Sequence, residues 1–302
     1  MAAASLRALL TRTIDYAGMF PPCNLELEPA LKNQAEYVRS NDSWMLSTFV
    51  LPVAKFSDAA ALASQFDKHH PLRVSALGAK TEKAADFLAE IRNAAETIRS
   101  FQKQHVDRVS VVQLEMFAPA DIDLAKFNEA AAVLADLKLQ MFWETPVESG
   151  EKTIALLARA KQPAFGYKLR TGGVTADAFP GSVQVARALL ASTKDHVPIK
   201  FTAGLHHPVR QFRDEVKTEM HGFLNVLGAG ILSAEHHWGE TQMIEMLEDQ
   251  RPDTFEFHDT VFAWSDWEIT IDRIKARRKF VTSFGSCSFD EPREDLRGLN
   301  LL

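Results

Sequence analysis

The sequence predicts one (β/α)8 barrel of the TIM type spanning residues 1–302, and three observations lead there. Short apolar runs alternate with helical stretches at a spacing of about 24 to 36 residues, the pattern of successive βαβ units around a parallel sheet. Seven such runs end by residue 230 and an eighth follows near the C-terminus. The chain has 302 residues, 46% hydrophobic and 25% charged, which suits one large α/β domain.

Residues 1–43 read as an N-terminal extension of helices and loop. Met1 to Thr11 is a helix, and IDYAGMFPPCNLELEP is a loop broken by Pro21 and Pro22. Pro29 opens a second helix ending near Arg39, because proline suits the first helical turn. WMLSTFVLP (44–52) is the first strand, and Ser57 caps a helix to about His69. LRVSALG (72–78) is the second strand, with a helix from Thr81 to about Lys103. RVSVVQLEM (108–116) is the third, followed by a helix from Asp121 to Leu137. LQMFWET (139–145) is the fourth, followed by a helix from Glu148 to Ala160.

AFGYKLRT is the fifth strand, and Ser182 opens the next helix. PIKFTAG is the sixth, with a helix expected from Pro208. HGFLNVLGAG (221–230) is taken as the seventh strand, although so apolar a run fits a helix equally well. Residues 231–278 form a largely helical insertion: a helix from Glu240 to Gln250, the extended TFEFHDTVFAW, and a helix from Trp267 to Arg278. KFVTSFGS (279–286) is the eighth strand, preferred over residues 254–259 for its β-favouring composition and its small-residue turn. Asp290 to Leu299 is a closing helix.

The net charge of −6 argues against sequence-independent nucleic-acid binding, which needs a basic face. The one basic run, KARRK at 275–279, reads as the solvated end of a helix. No apolar run is long enough to span a bilayer, and the N-terminus lacks the apolar core of a signal peptide. The two cysteines, Cys23 and Cys287, form neither a disulfide framework nor a zinc spacing. A cytoplasmic location is expected, with a small-molecule substrate, no nucleic-acid or membrane partner, and self-association left open.

A barrel of this kind carries its site at the C-terminal ends of its strands. Strand side chains alternate faces, so Gly166, Lys168 and Arg170 share one face, and Lys200 and Thr202 share one on the next strand. The same rule puts Gln113 and Glu115 at the end of the third strand, Glu144 at the end of the fourth and Asn225 on the seventh. Lysines beside glutamates are acid–base equipment for enolisation or imine chemistry. The bland alternative for a lysine in a strand is an outward side chain reaching solvent.

Arg170 and the Thr171-Gly172-Gly173 turn suit a carboxylate or phosphate. Gly228-Ala229-Gly230 and Gly285-Ser286 lie where many barrels hold a phosphate, and Gly228, Gly230 and Ser286 are assigned to binding there. His206 and His207 follow the sixth strand; adjacent histidines diverge, so one of them, His206, is assigned to the site. His236 and His237 read as surface or structural, Cys287 as inert or accessory, and Asp15 and Tyr16 as packing residues, with a place over the barrel mouth as the alternative.

The strings IDYAGMFPP, KLRTGG, IKFTAGLHHPVR, HGFLNV and SFGSCSFDEP together resemble an uncharacterised bacterial family over most of the chain. That resemblance implies kinship and no activity. More remotely, lysines ending adjacent strands resemble the class I aldolase type of barrel, such as deoxyribose-phosphate aldolase. This second resemblance implies an imine between a lysine and a substrate carbonyl, with a second lysine lowering the pKa of the first. The sequence around the lysines departs from that enzyme's lysine motif, so the resemblance implies a mechanism class and no substrate.

The leading expectation is an aldolase-like lyase acting on a small carbonyl compound, with or without a phosphate or carboxylate group. Lys200 forms the imine, Lys168 lies beside it, Glu144, Glu115 or His206 moves protons, and Arg170 holds the anionic end. No cofactor is then needed. A second expectation uses a divalent metal on Glu115, Glu144 and a histidine, giving an isomerase, epimerase or hydrolase. A third is a non-catalytic barrel whose charged ring is structural.

Overall fold

Eight parallel strands close into a barrel in the computed structural model, which describes every residue except Met1, Lys161 and Pro163. They are β1 (Ile14–Tyr16), β2 (Leu46–Pro52), β3 (Leu72–Leu77), β4 (Val109–Phe117), β5 (Gln140–Glu144), β6 (Phe165–Arg170), β7 (Ile199–Thr202) and β8 (Val281–Ser286). Each strand pairs with its successor, and β8 closes on β1 by aligning Ile14 with Phe284 and Tyr16 with Ser286. The predicted fold class is therefore the observed one.

The outer layer is built of α1 (Ala4–Leu10), α2 (Leu27–Tyr37), α3 (Phe56–Ala60), α4 (Ala84–Gln104), α5 (Leu124–Leu134), α6 (Gly150–Ala160), α7 (Ser182–Asp195), α8 (Phe223–His236), α9 (Glu240–Glu248), α10 (Ile271–Arg277) and α11 (Asp290–Gly298). The amphipathic spacing of α4 buries Phe87, Leu88, Ile91, Ala94, Ala95, Ile98 and Phe101 against the sheet. Its first turn is held by Asp121, whose Oδ1 accepts from Ala84 N at 3.0 Å, and not by Thr81.

Several sequence expectations are corrected. Residues 14–16, read as loop, are the first barrel strand, so the N-terminal segment is more than an extension and every later strand moves up one place. Three residues are too few to show a period of two. The run 221–230 is not a strand: Phe223 onward is α8, which follows β7 after a hairpin of Gln211–Arg213 with Thr218–Met220. That hairpin stands where a helix from Pro208 was expected. Every residue of α8 from Phe223 to Ala234 is buried, so its sequence carries no amphipathic signature to separate helix from strand.

The expected helix from Ser57 to His69 is broken into short pieces. Asp67 Oδ1 accepts from His69 N at 2.8 Å and His70 N at 3.0 Å, a local turn that competes with helix. Residues 254–259 do not form strand eight. Phe255–Phe257 joins Val261–Trp264 and Trp267–Thr270 in a separate antiparallel sheet, and this third strand displaces the start of the helix expected from Trp267.

Alternation along β5 builds the core on both sides. Trp143 points outward into a cluster with Phe87, Phe127 and Phe165, at centroid distances of 5.4, 5.4 and 5.3 Å. Burying each such ring contributes roughly 1.5–3 kcal/mol. Phe142 points inward and fills the barrel: a Cβ on the inward-facing Gly166 would meet its ring at 2.6 Å and Pro198 O at 2.8 Å. Above this packed floor a cavity opens toward the C-terminal ends of the strands. Among the described residues, no helix is long and apolar enough to cross a membrane.

Candidate active site

The cavity at the C-terminal ends of the strands measures about 290 Å³. Glu115 of β4, Glu144 of β5, Lys168 and Arg170 of β6, and Lys200 and Thr202 of β7 all line it. Each occupies an inward position of its strand, so the alternation read from the sequence places them together. The apolar wall comes from Val50, Leu77 and Val174, with Phe20, Pro21 and Pro22 at the mouth.

The charges form a continuous chain. Lys200 Nζ lies 2.8 Å from Asp15 Oδ2 and 2.5 Å from Glu115 Oε1, and donates to Gln113 Oε1 at 2.9 Å. Those three acceptors match the three N–H groups of an ammonium. Lys168 Nζ lies 2.7 Å from Glu115 Oε2 and 2.9 Å from Glu144 Oε2. Arg170 Nη1 is 3.7 Å from Glu144 Oε1 at the rim. Three carboxylates (Asp15, Glu115, Glu144) thus face three cations (Lys168, Arg170, Lys200).

Hydroxyls from other strands complete the buried carboxylates. Thr48 Oγ1 and Ser283 Oγ donate to Asp15 at 2.6 Å each, and Ser75 Oγ donates to Glu115 Oε1 at 2.5 Å. Burial would raise the Glu115 carboxyl, but the two ammonium groups outweigh it and hold the acid well below its ordinary range. Burial would likewise push the Lys168 amine down, and Glu115 and Glu144 overcome this and hold it above its ordinary value. Lys168 is therefore an ammonium in the unliganded cavity at neutral pH.

The two lysines are not equivalent. The Lys200 side chain is 1% exposed and lies 5.2 Å from the centre of the Phe142 ring, on the cavity floor. The Lys168 side chain is 6% exposed, lies in register with Lys200 on the neighbouring strand, and shares its outer partner Glu144 with Arg170.

The loops after β6 and β7 shape the rim. Ala203 and Gly204 take consecutive positive φ values of 58° and 75°. A Cβ at Gly204 would meet Thr171 O at 2.8 Å and Gly172 Cα at 2.9 Å, so the close approach of the two loops requires glycine there. Thr171 Oγ1 fastens them by donating to Ala203 O at 2.5 Å.

His206 lines the cavity, and its Nδ1 is 2.9 Å from Glu291 Oε2. His207 diverges to meet Asp295 Oδ2 through Nδ1 at 2.6 Å. Helix α11 supplies both acids, and hydrogen bonding from His206 lowers the Glu291 pKa.

Four expected binding residues lie elsewhere. Asn225 is a structural clip: its Nδ2 donates to Met246 O and Asp249 O at 2.7 and 2.8 Å, and its Oδ1 accepts from Arg210 N at 2.9 Å. Gly228 and Gly230 are helix-packing glycines, where a Cβ would meet Met246 Cε at 2.3 Å or Val281 Cγ2 at 2.6 Å. Ser286 points away from the cavity and accepts from Ser288 N at 3.4 Å, while its neighbours Gly285 and Cys287 line the cavity. Those three glycine and asparagine assignments failed with the strand reading of 221–230, and the Ser286 assignment failed by one residue of phase.

Asp15 is the site residue that sequence reasoning missed. Its only signal was an acid between two large apolar residues just before a small-residue turn. The metal reading meets a misfit as well. Lys168 Nζ sits between Glu115 and Glu144, where an ion on those carboxylates would stand, and His206 turns Nδ1 to Glu291. Among the described residues, no group of His, Cys, Asp and Glu is arranged to hold an ion.

No family model matches the chain, and no curated protein matches it in sequence. Among solved structures it is similar to a putative deoxyribose-phosphate aldolase from Toxoplasma gondii ME49. Identity is 11% over 98% of this chain and 93% of that one, with a TM-score of 0.41. It is also similar to YJJV, a TatD homolog from Escherichia coli K12, at 13% identity over 79% of this chain and 95% of that one, with a TM-score of 0.37.

Proposed function

We propose that this barrel is an aldolase-like lyase that takes a small carbonyl compound and binds it as an imine on Lys168. The observation that carries the reading is the asymmetry of the two lysines on Glu115. Lys200 is saturated by three acceptors on the cavity floor, whereas Lys168 faces the mouth with two partners, one of them near the rim. The nucleophile is the lysine a substrate can reach, so the roles expected from the sequence are exchanged.

The resting Lys168 is protonated, and imine formation starts when that proton leaves. Glu144, 2.9 Å away and 18% exposed, is the group placed to accept it. Once Glu144 is neutral, the fixed charge of Lys200 beside the amine disfavours return of the proton. The free amine adds to the carbonyl carbon, and Glu144 returns its proton to the departing hydroxyl of the carbinolamine. The resulting iminium takes up the electrons of the bond between its α and β carbons as that bond breaks, giving an enamine, while the β-hydroxyl gives up its proton and leaves as the carbonyl of the second fragment. His206, oriented by Glu291, is available for proton transfer at the outer end of the cavity. Arg170 and the amides of the Thr171–Gly173 turn suit a carboxylate or phosphate on the substrate.

Borohydride reduction in the presence of a panel of small aldehydes and ketones, followed by peptide mass mapping, tests this. The expected adduct is on Lys168 and is absent from Lys168→Met. An adduct on Lys200 would exchange the roles again, and no adduct across a broad panel would sink the imine reading.

One observation favours a second reading: every charge in the ring already has an opposite partner, as in a purely structural ion-pair network. In that case Lys168→Met lowers stability as much as Lys200→Met, and no carbonyl compound adds to either lysine.

A further inference from the structure

Two thiols separated by 264 residues in sequence meet at the cavity mouth: Cys23 Sγ lies 2.8 Å from Cys287 Sγ. Both are free cysteines, Cys23 exposed and Cys287 buried. Cys287 directly follows β8 and lines the cavity. Cys23 directly follows Phe20, Pro21 and Pro22, which line the same cavity from the loop after β1, the strand that pairs with β8.

The loop that carries Cys23 is anchored at its base. Ala17 N donates to Ser286 O at 2.7 Å, and Leu25 N donates to Gly18 O at 2.9 Å. Its tip, Pro21 to Asn24, is exposed, and the thiol contact fastens that tip to the end of β8. A thiol is a weak donor and a weak acceptor, so this fastening is easily released while both cysteines are reduced.

We propose that Cys23 and Cys287 are an oxidisable pair for hydrogen peroxide, and that their disulfide staples this loop to the end of β8 at the cavity mouth. Cys23 is the sulfur that solvent reaches. Its thiolate attacks one peroxide oxygen, the O–O bond breaks, and Cys23 sulfenic acid and water form. The Cys287 sulfur then attacks the Cys23 sulfur and displaces hydroxide, which leaves as water with the Cys287 proton. Two thiols are oxidised by two electrons and one peroxide is reduced to two waters. Burial and the hydrogen bond to Cys23 push the Cys287 thiol up to about 12. It therefore stays a thiol until its partner is activated, which assigns it the resolving step.

The staple converts a contact that opens freely into a covalent one, so exchange between the cavity and solvent slows. Any effect on turnover rests on the lysine reading above, whereas formation of the disulfide does not.

The test uses the reduced full-length chain and hydrogen peroxide, with thiol titration after denaturation, peptide mass mapping, and amide hydrogen exchange of residues 17–25. The expected result is loss of both thiols together and one cross-linked peptide pair joining Cys23 to Cys287. Exchange in the loop slows several-fold, and dithiothreitol reverses all three changes. In Cys23→Ser, Cys287 remains titratable after the same treatment. Overoxidation of Cys23 with Cys287 still free, or cross-links only between chains, would overturn the pair. A mapped Cys23–Cys287 disulfide that leaves loop exchange unchanged would overturn the staple. Failure of borohydride trapping in reduced and oxidised protein alike would count against the lysine reading and leave the disulfide result untouched.

Discussion

The two ends of this barrel each hold a cation, half-buried Arg278 at one and buried Lys168 at the other, in opposite company. At the N-terminal end, Arg278 reaches under the barrel and donates to the carbonyl oxygens of Val281 and Thr282 through Nη1. Its Nη2 reaches Thr11 O at 3.3 Å and Thr13 Oγ1 at 3.0 Å. These acceptors are neutral, and burial pulls the guanidinium down to about 10. At the C-terminal end, Lys168 meets two carboxylates and is held above its ordinary value despite burial. Carbonyl dipoles can hold a cation but cannot take its proton; a carboxylate can do both. The comparison teaches that the acceptor, more than the burial, decides which way a cation's proton affinity moves.

The largest effect that would sharpen this contrast is chemical. Lys168→Met should lose all carbonyl trapping while keeping the fold, because Glu115 retains Lys200 and Glu144 retains Arg170. Borohydride labelling beside a thermal melt checks both halves.

Next comes Lys200→Met, which strands Asp15 and one oxygen of Glu115 without a countercharge on the cavity floor. Breaking a buried pair in this way costs about 3–5 kcal/mol, to be read from urea unfolding. A melt indistinguishable from that of Lys168→Met would erase the distinction between the two lysines.

At the other end, Arg278→Met should cost about 1–3 kcal/mol, since it orphans carbonyls and no charge. Trapping by Lys168 should be unchanged. A trapping defect in this variant would mean that the two ends are coupled.

The smallest expected effect is the pH dependence of stability. The Glu115 pKa is lowered in the fold, so its contribution is complete above the unfolded value of 4.5 and is lost as pH falls through the lower folded value. The Lys168 pKa is raised, so its contribution is complete below the unfolded value of 10.5 and is lost as pH rises through the higher folded value. Between those two unfolded values the pair's contribution is flat. Melts of Glu115→Gln against the parent at about pH 3 and about pH 7 should differ less in acid, where the parent has begun to lose this term. An unchanged difference would show that Glu115 is not held ionised by the lysines.

Much of the candidate site could be read along the chain because strand alternation is local. A period of two requires neither partners nor register, and it put Glu115, Glu144, Lys168, Arg170, Lys200 and Thr202 on inner faces. The same rule failed where an element offered too little pattern. Strand β1 has three residues, and α8 is buried on all sides from Phe223 to Ala234. At β8 the Gly285-Ser286 turn is legible as part of the site, and alternation through Ser283 puts Gly285, not Ser286, on the cavity.

By itself, then, the sequence determined the alternation of strand and helix, the barrel class and the inward-facing charges, all consequences of short-range periodicity and turn chemistry. Only the tertiary structure decided who meets whom. Closure of β8 onto β1 brings Asp15 to Lys200, α11 brings Glu291 to His206, and the barrel mouth brings Cys23 to Cys287. The physical reason is that each of these contacts joins residues on elements remote in the chain. Such pairs form when strand register and barrel closure bring their elements together, and neither register nor closure is written in any one local window of residues.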